Sequence, residues 1–382
     1  MKWLLGIGID LVVALSGAVA AVPVAREEAH WWWSRAVGSP SSFATYLATW
    51  PAGRHAEEAV TLHDETNWAS LVDTKDAAQF EAYLRDSRRE VHSTDARARI
   101  DRLRFEAARD RNTVRALQGY LDAQPEGRHV DAARKRQTSL LADPQPYRVA
   151  LDKASADAMN EFIADFPGHA MQSQARTAAK DLAGRDLFEL VREKKLQFKA
   201  AAAGAEAVTI SVLRNTPHPL LATVAPGTLV VPRNAGWRQL VITAPTRLLI
   251  KDVRWVEQAA SAVSLQPQRV VRSTPDAYVL RPSAEQAPLT RLAAGIAESG
   301  ASQDVANAAV WIASANADLA GLQALARQGG LHPPDPAATA AAMQLVDRAG
   351  SPVTGRAIWR ERQKIADALP AGEARAWLEQ RR

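Results

Sequence analysis

A chain of 382 residues is long enough for two or three domains, and its 47% apolar and 23% charged residues are those of a globular rather than a disordered protein. The formal net charge of +5 is too small to imply nucleic acid. The absence of cysteine excludes disulfides, thiolate metal sites and cysteine nucleophiles.

The first 25 residues, MKWLLGIGIDLVVALSGAVAAVPVA, join Lys2 to an apolar run and to Ala18-Val19-Ala20, a small-x-small cleavage pattern. Asp10 interrupts the run, and a carboxylate in an inserting segment costs roughly 2.5–3.5 kcal/mol. The stretch from Trp3 to Ala25 is also long enough to span a bilayer. Residues 1–25 are therefore expected to be an export signal or an N-terminal membrane anchor, the alternative being a buried helix of a cytoplasmic protein.

A repeat follows. YLATWPAGRHAEEA (46–59) returns as YLDAQPEGRHVDAA (120–133), and Tyr46, Tyr83, Tyr120 and Phe162 fall 37, 37 and 42 residues apart. Fifteen residues before each stands an aromatic (Trp31, Trp68, Phe105, Tyr147), and thirteen after each an alanine (Ala59, Ala96, Ala133, Ala175). Seven before each, Ser39, Asp76, Thr113 and Ser155 predict helix N-caps. Phe43, Tyr46 and Leu47 predict one buried stripe, and Pro51, Pro125 and Pro167 stop the first helix. Gly53 and Gly127 are read as supplying the permissive backbone of the turn. The second unit departs from the pattern with Arg88 and Glu90, and ADPQP (142–146) is expected to form a kink or loop. Each unit is thus a helical hairpin, and hairpins stacked in this way form a solenoid.

The aromatic, the P-x-G turn and the alanine resemble tetratricopeptide-like helical-repeat proteins of the bacterial envelope, over roughly residues 27–184. That resemblance implies a protein-binding surface. With the N-terminal segment, it implies a periplasmic protein or one membrane-anchored facing the periplasm.

From Val208 the period changes. VTISVLR, LLATVAP, GTLVVP, RQLVITAP and TRLLIKDVRWVE are short β-rich runs broken by Pro, Gly and Asn, whose spacing argues for a compact antiparallel sandwich or barrel, and a helical pattern resumes at Leu289. The expected fold class is a multidomain α+β protein. It has an α-helical hairpin repeat of about four hairpins (26–184), a helical linker (185–207), a small antiparallel β-sandwich-like domain (208–282) and a C-terminal helical region (283–382).

The search for chemistry finds no G-x-S-x-G elbow, phosphate loop or dinucleotide fingerprint. His55, His92 and His129 share one repeat column and read as polar residues at a helix entrance rather than a ligand ladder. In HDET (63–66) no second histidine stands at i+4 as zinc hydrolases require, and His218 lies between prolines in a turn. No cofactor, metal or catalytic residue is expected. In HWWWS (30–34), Trp31 should be core, with its neighbours at a membrane interface or capping the first hairpin.

Units two and three are rich in arginine interleaved with carboxylates, which reads either as a solvated face or as a docking face. Arg97, Arg104 and Arg111 stand seven apart and predict one ridge along a helix, the candidate surface for an acidic protein partner. Membrane association through residues 3–25 is a further expectation; nucleic acid is not expected. The leading function is a non-enzymatic protein-binding scaffold or adaptor of the cell envelope. Behind it stand a carbohydrate- or cell-wall-binding protein, favoured if Trp237 or Trp255 faces solvent, and an enzyme of unknown class.

Overall fold

The computed structural model describes residues 23–380, apart from 88–90, 275, 283 and 285–286. The described residues up to 143, with 164–170, form one compact unit; residues 144–163, with 171–380, form a second.

In the first unit, α1 (Pro23–Val37) leads into three helix pairs. These are α2 (Pro40–Thr49) with α3 (Ala56–Ser70), α4 (Ala77–Asp86) with α5 (Ser93–Arg111), and α6 (Val114–Ala123) with α7 (Val130–Ala142). Each first helix begins where a side-chain oxygen meets the free N–H groups of its first turn. Ser39 accepts from Ser42 N, Asp76 from Ala78 N and Thr113 from Ala116 N. The tyrosines are buried, and each packs on the aromatic of the preceding helix. Ring centroids are 5.3 Å apart for Tyr46–Trp31, 5.5 Å for Tyr83–Trp68 and 5.5 Å for Tyr120–Phe105. Ala59, Ala96 and Ala133 are wholly buried, so a larger side chain would push the paired helices apart. Consecutive helix pairs therefore pack as repeats.

The export or anchor expectation rests on residues 1–25, of which 1–22 lie outside the described residues. Pro23 to Ala25 already belong to α1, so the expected boundary at 25 falls inside a helix. Among the described residues no helix is long and apolar enough to cross a membrane, and the membrane expectation is not carried forward. Trp31 is 1% exposed, whereas Trp32 and Trp33 are 63% and 53% exposed and do not cap the first hairpin.

In the second unit the expected break at Pro144 is a change of helix. α7 ends at Ala142, and α8 (Gln145–Asp152) starts afresh, as a proline disfavours helix in the residue before it. α8 is followed by α9 (Ala156–Asp165), whose last two residues belong to the first unit, and by α10 (Gln172–Leu182). After β1 (Arg185–Asp186) and α11 (Leu187–Arg192) come β2 (Leu196–Ala202), β3 (Ala207–Arg214), β4 (Leu220–Val224) and β5 (Leu229–Pro232). β6 (Leu240–Ile242), β7 (Thr246–Ile250), β8 (Val256–Ser264) and β9 (Tyr278–Arg281) complete the strands.

These strands do not form the expected sandwich. Six of them, in the order β2-β3-β8-β6-β5-β9, close into an antiparallel barrel, while β1, β4 and β7 form a separate three-stranded sheet. Closure comes from β9, which pairs with β5 on one side and, through Tyr278 and Ala200, with β2 on the other. β2 lies inside the segment read as a helical linker. Its sequence LQFKAAA favours helix locally, yet pairing with β3 over Leu196–Ala202 and burial of Leu196, Ala200 and Ala202 hold it extended. A closed barrel leaves no free edge pair, which a sandwich of the same strands would expose.

The C-terminal region is helical: α12 (Pro288–Ser299), α13 (Gln303–Ala315), α14 (Leu319–Gly329), α15 (Pro336–Arg348), α16 (Arg362–Asp367) and α17 (Glu373–Gln380). Its core includes Val241 and Val263 of the barrel, and Trp311 Nε1 donates to the Ser264 carbonyl at 2.8 Å. The helices are thereby fixed to the barrel wall.

Candidate functional site

The repeats are latched by a polar motif. Nineteen residues before each tyrosine stands a carboxylate, and the phenol donates to it: Tyr46 to Glu27 at 2.8 Å, Tyr83 to Asp64 at 2.8 Å and Tyr120 to Asp101 at 2.6 Å. Burial, then the bond to the carboxylate, pushes each of these phenols up to about 12. The bond from Tyr46 in turn lowers the Glu27 carboxyl.

Glu27 also accepts from Arg54 N, and Asp101 from Arg128 N at 2.9 Å, so the acid ties the following turn to the helix before it. Neither Gly53 nor Gly127 has a positive φ. Their glycine is required for space: a Cβ at 127 would run into Asp101 Oδ1 and the Tyr120 hydroxyl, and one at 53 into Glu27 and Tyr46. This corrects the reading of those glycines as sources of backbone freedom. In the second pair Ser87 Oγ donates to Asp64 at 2.6 Å.

The histidine column does stand at helix entrances, as the N-cap residues of α3, α5 and α7, but its rings are packed rather than solvated. His55 stacks on Trp31, His92 on Trp68 and His129 on Phe105, with centroids 4.7, 4.8 and 4.6 Å apart and rings within 9° of parallel. His55 Nε2 meets Glu28 at 3.1 Å, while His92 Nε2 stays 3.7 Å from Glu65, too far for a hydrogen bond. In HDET, His63 lies 3.6 Å from Asp86, whereas Asp64 belongs to the latch. Among the described residues no three His, Asp or Glu side chains are grouped to hold a metal ion.

α5 runs unbroken from Ser93 to Arg111 and carries Arg97, Arg104 and Arg111 on one helix. The structure divides them. Arg97 lines a groove of about 390 Å³ beside the turn 124–128. Arg104 and Arg111 line another of about 590 Å³ between α5 and α6, together with Arg115. Arg104 pairs with Glu81 at 2.6 Å and Arg115 with Asp165 at 2.6 Å. The Arg111 side chain is exposed and has no ion-pair or hydrogen-bond partner among the described residues. The small residues Ala107, Ala116, Gly119 and Ala123 also line it, with Ala108, Thr113, Tyr120 and Asp165. The arrangement presents guanidinium groups around a concavity shallow enough for a polypeptide backbone.

A second polar cluster lies in the other unit. Asp181, fully buried, accepts from Lys195 Nζ at 2.8 and 3.0 Å, from Arg185 at 3.3 Å and from His218 Nε2 at 2.9 Å. Burial alone would raise its carboxyl, but the bonds from Lys195, His218 and Arg185 outweigh that and lower it. Arg185, then Lys195, holds Glu193 at about 2. Both Asp181 oxygens are engaged by these donors. The cluster pins α10, β1, β2 and the 215–219 turn together, which accounts for His218.

In the barrel unit Trp237 is half-buried, 6.4 Å from the Tyr278 ring, and Trp255 is 38% exposed with Lys199 Nζ 4.4 Å from its ring centroid. Neither tryptophan lines the grooves above. No family model, curated protein or solved structure matches this chain.

Proposed function

We propose that this chain is an exported, non-enzymatic scaffold that binds a protein partner through an acidic segment held by the α5–α7 region. The location of the charge carries this reading. Residues 93–142 hold eleven Arg and Lys against seven Asp and Glu, an excess of four in a chain whose whole net charge is +5. One of those carboxylates, Asp101, is buried in the tyrosine latch, and Arg111 stands uncompensated at the groove. A concave surface of one sign concentrates oppositely charged partners and speeds their encounter.

The packed helix pairs support a likeness to tetratricopeptide-like proteins of the bacterial envelope. Lys2, the apolar run and Ala18-Val19-Ala20 support export. Fold alone assigns no partner; the charged groove supplies the chemistry.

The test is capture of a crosslinked partner in the native host by the full chain and by a variant with Arg97, Arg104 and Arg111 all changed to Glu. Capture is expected to fall while the thermal melt stays nearly unchanged, since the one ion pair lost, Arg104–Glu81, is only partly buried and worth about 1 kcal/mol. Undiminished capture overturns the reading. A reporter active only after export, fused behind Ser39, tests the compartment, and activity of a cytoplasmic reporter alone overturns it.

A further inference from the structure

Equivalent positions of the repeat differ in a way that selects one groove. Counting back 74 residues from Arg104, Ala107, Arg111, Arg115 and Gly119 gives His30, Trp33, Val37, Ser41 and Thr45. The α1–α2 position thus carries an indole where α5–α6 has a methyl group, and a threonine where it has no side chain. It carries no arginine at all. Trp33 stands 6.0 Å from the His30 ring one turn away on α1. At the α3–α4 position, 37 residues back, stand Asn67, Ser70, Thr74, Ala78 and Ala82, again without charge. Only the α5–α6 position combines small residues with cations. A Cβ at Gly119 would meet nothing within 4 Å, so its absence is not demanded by the fold and leaves the groove open.

Resting on the scaffold reading, we infer that the α5–α6 groove binds an extended segment of another protein in which Asp or Glu alternates with small residues. Ala107 and Gly119 admit the backbone, and Arg111 takes a carboxylate. The charge pattern sets the occupant. Arg104 and Arg115 already have Glu81 and Asp165, so each can exchange one carboxylate for another without becoming unpaired. Arg111 gains its first partner, in a planar fork that suits a carboxylate bidentately. Small side chains between the acids let the segment's backbone lie close against Ala107, Ala116 and Gly119, within reach of the arginines.

The probe is a fluorescein-labelled peptide of alternating Asp and Ala, titrated into the full chain at low salt and followed by anisotropy. Ala107→Trp copies the first repeat into the groove, and Arg111→Gln removes the unpaired cation. Each is expected to weaken binding about tenfold or more, the loss that follows from one charged hydrogen bond. Trp33→Ala should leave binding within about twofold, because its position carries no cation. Thermal melts of all three should match the parent, which separates closure of the groove from unfolding.

Parental affinity in both Ala107→Trp and Arg111→Gln overturns the inference. So does equal binding of an Asn–Ala peptide, or tighter binding of a single-stranded oligonucleotide of the same charge. If the triple charge reversal loses the native partner while Ala107→Trp binds the peptide normally, the scaffold reading stands and the groove assignment falls. If the peptide obeys these expectations while native capture survives the reversal, the groove stands and its place in the scaffold reading falls.

Discussion

Removing one oxygen atom tests the latch. In Tyr120→Phe the ring keeps its place against Phe105, but Asp101 loses the phenol that donates to it at 2.6 Å, and His129 N loses its acceptor at 3.2 Å. Asp101 is buried, so water does not readily replace the lost donor. Its other oxygen keeps only Arg128 N. A hydrogen bond to a charged group is worth about 1.5–3 kcal/mol, and an orphaned buried donor costs about 1 kcal/mol or more. The expected loss is therefore roughly 2–4 kcal/mol, close to the 3–5 kcal/mol expected for truncating the whole ring to alanine. Native-state hydrogen exchange on the full chain reads this locally, through the amides of α5 to α7 and of the 127–129 turn. Asp101→Asn alone should also destabilise, yet the double variant should cost less than the sum by about 1 kcal/mol or more, as neighbours in one network do. Exchange within about 0.5 kcal/mol of the parent, or strict additivity, would refute the latch.

Glycine at 127 and at 119 should respond in opposite senses. Gly127→Ala meets Asp101 and Tyr120 and should destabilise by about 1–3 kcal/mol, whereas Gly119→Ala, with open space inside α6, should be neutral or stabilise by up to about 1 kcal/mol; urea melts giving the same sign for both would reject the steric account. Tyr46, Tyr83 and Tyr120 keep their protons up to about 12, while in an unfolded chain they release them near 10. Their stabilising contribution is thus full below pH 10 and is lost as pH rises toward 12, so tyrosinate absorbance should rise together with loss of helical circular dichroism; three phenols titrating near 10 in a chain still helical would contradict this. Asp181 and Glu193 are lowered, so their contribution to the barrel unit is present above the ordinary carboxylate range and fades as pH falls through their folded values, near 2 for Glu193. Asp181→Asn should destabilise that unit by about 3 kcal/mol, at the low end for a broken buried pair because Lys195 and Arg185 retain Glu193, and should flatten the acid limb of its pH–stability curve; an unchanged acid limb would remove Asp181 from that role.

The helix pairs were legible because each column of the repeat answers to a short-range rule. A cap must stand seven residues before the tyrosine, a small residue must stand where helices touch, and a proline ends the first helix. The acid of the latch was equally present in the alignment, since Glu27, Asp64, Asp101 and Asp143 all stand nineteen before the ring. It was passed over because abundant carboxylates on helices are usually solvated, and nothing local distinguishes a buried one. The histidines misled for the same reason: a polar residue at a helix start looks exposed until its ring is found flat against Trp31, Trp68 or Phe105. β2 is not legible as a strand because it is written in alanine and lysine, and only pairing with β3, the next strand of its hairpin, and with β9, about seventy-five residues on, holds it extended.

The seven-residue spacing of Arg97, Arg104 and Arg111 specifies a shared helix face and says nothing of what faces it. The groove is made by α6, and specifically by what Gly119 and Ala116 omit, whereas α5 alone would present the arginines as an ordinary solvated ridge. Arg97 has the same spacing but looks onto the turn at 124–128, where Gln124 to Arg128 form the opposing wall and the latch carboxylate Asp101 is part of the lining. A carboxylate approaching Arg97 therefore meets Asp101 and Glu126 in the same groove, and one approaching Arg111 meets only Asp165, already held by Arg115. Of three arginines equivalent in sequence, the fold leaves one free to act on an acidic ligand, engages one with Glu81 and screens one with its neighbours. A surface is thus defined less by the charges a helix carries than by what the next helix leaves out.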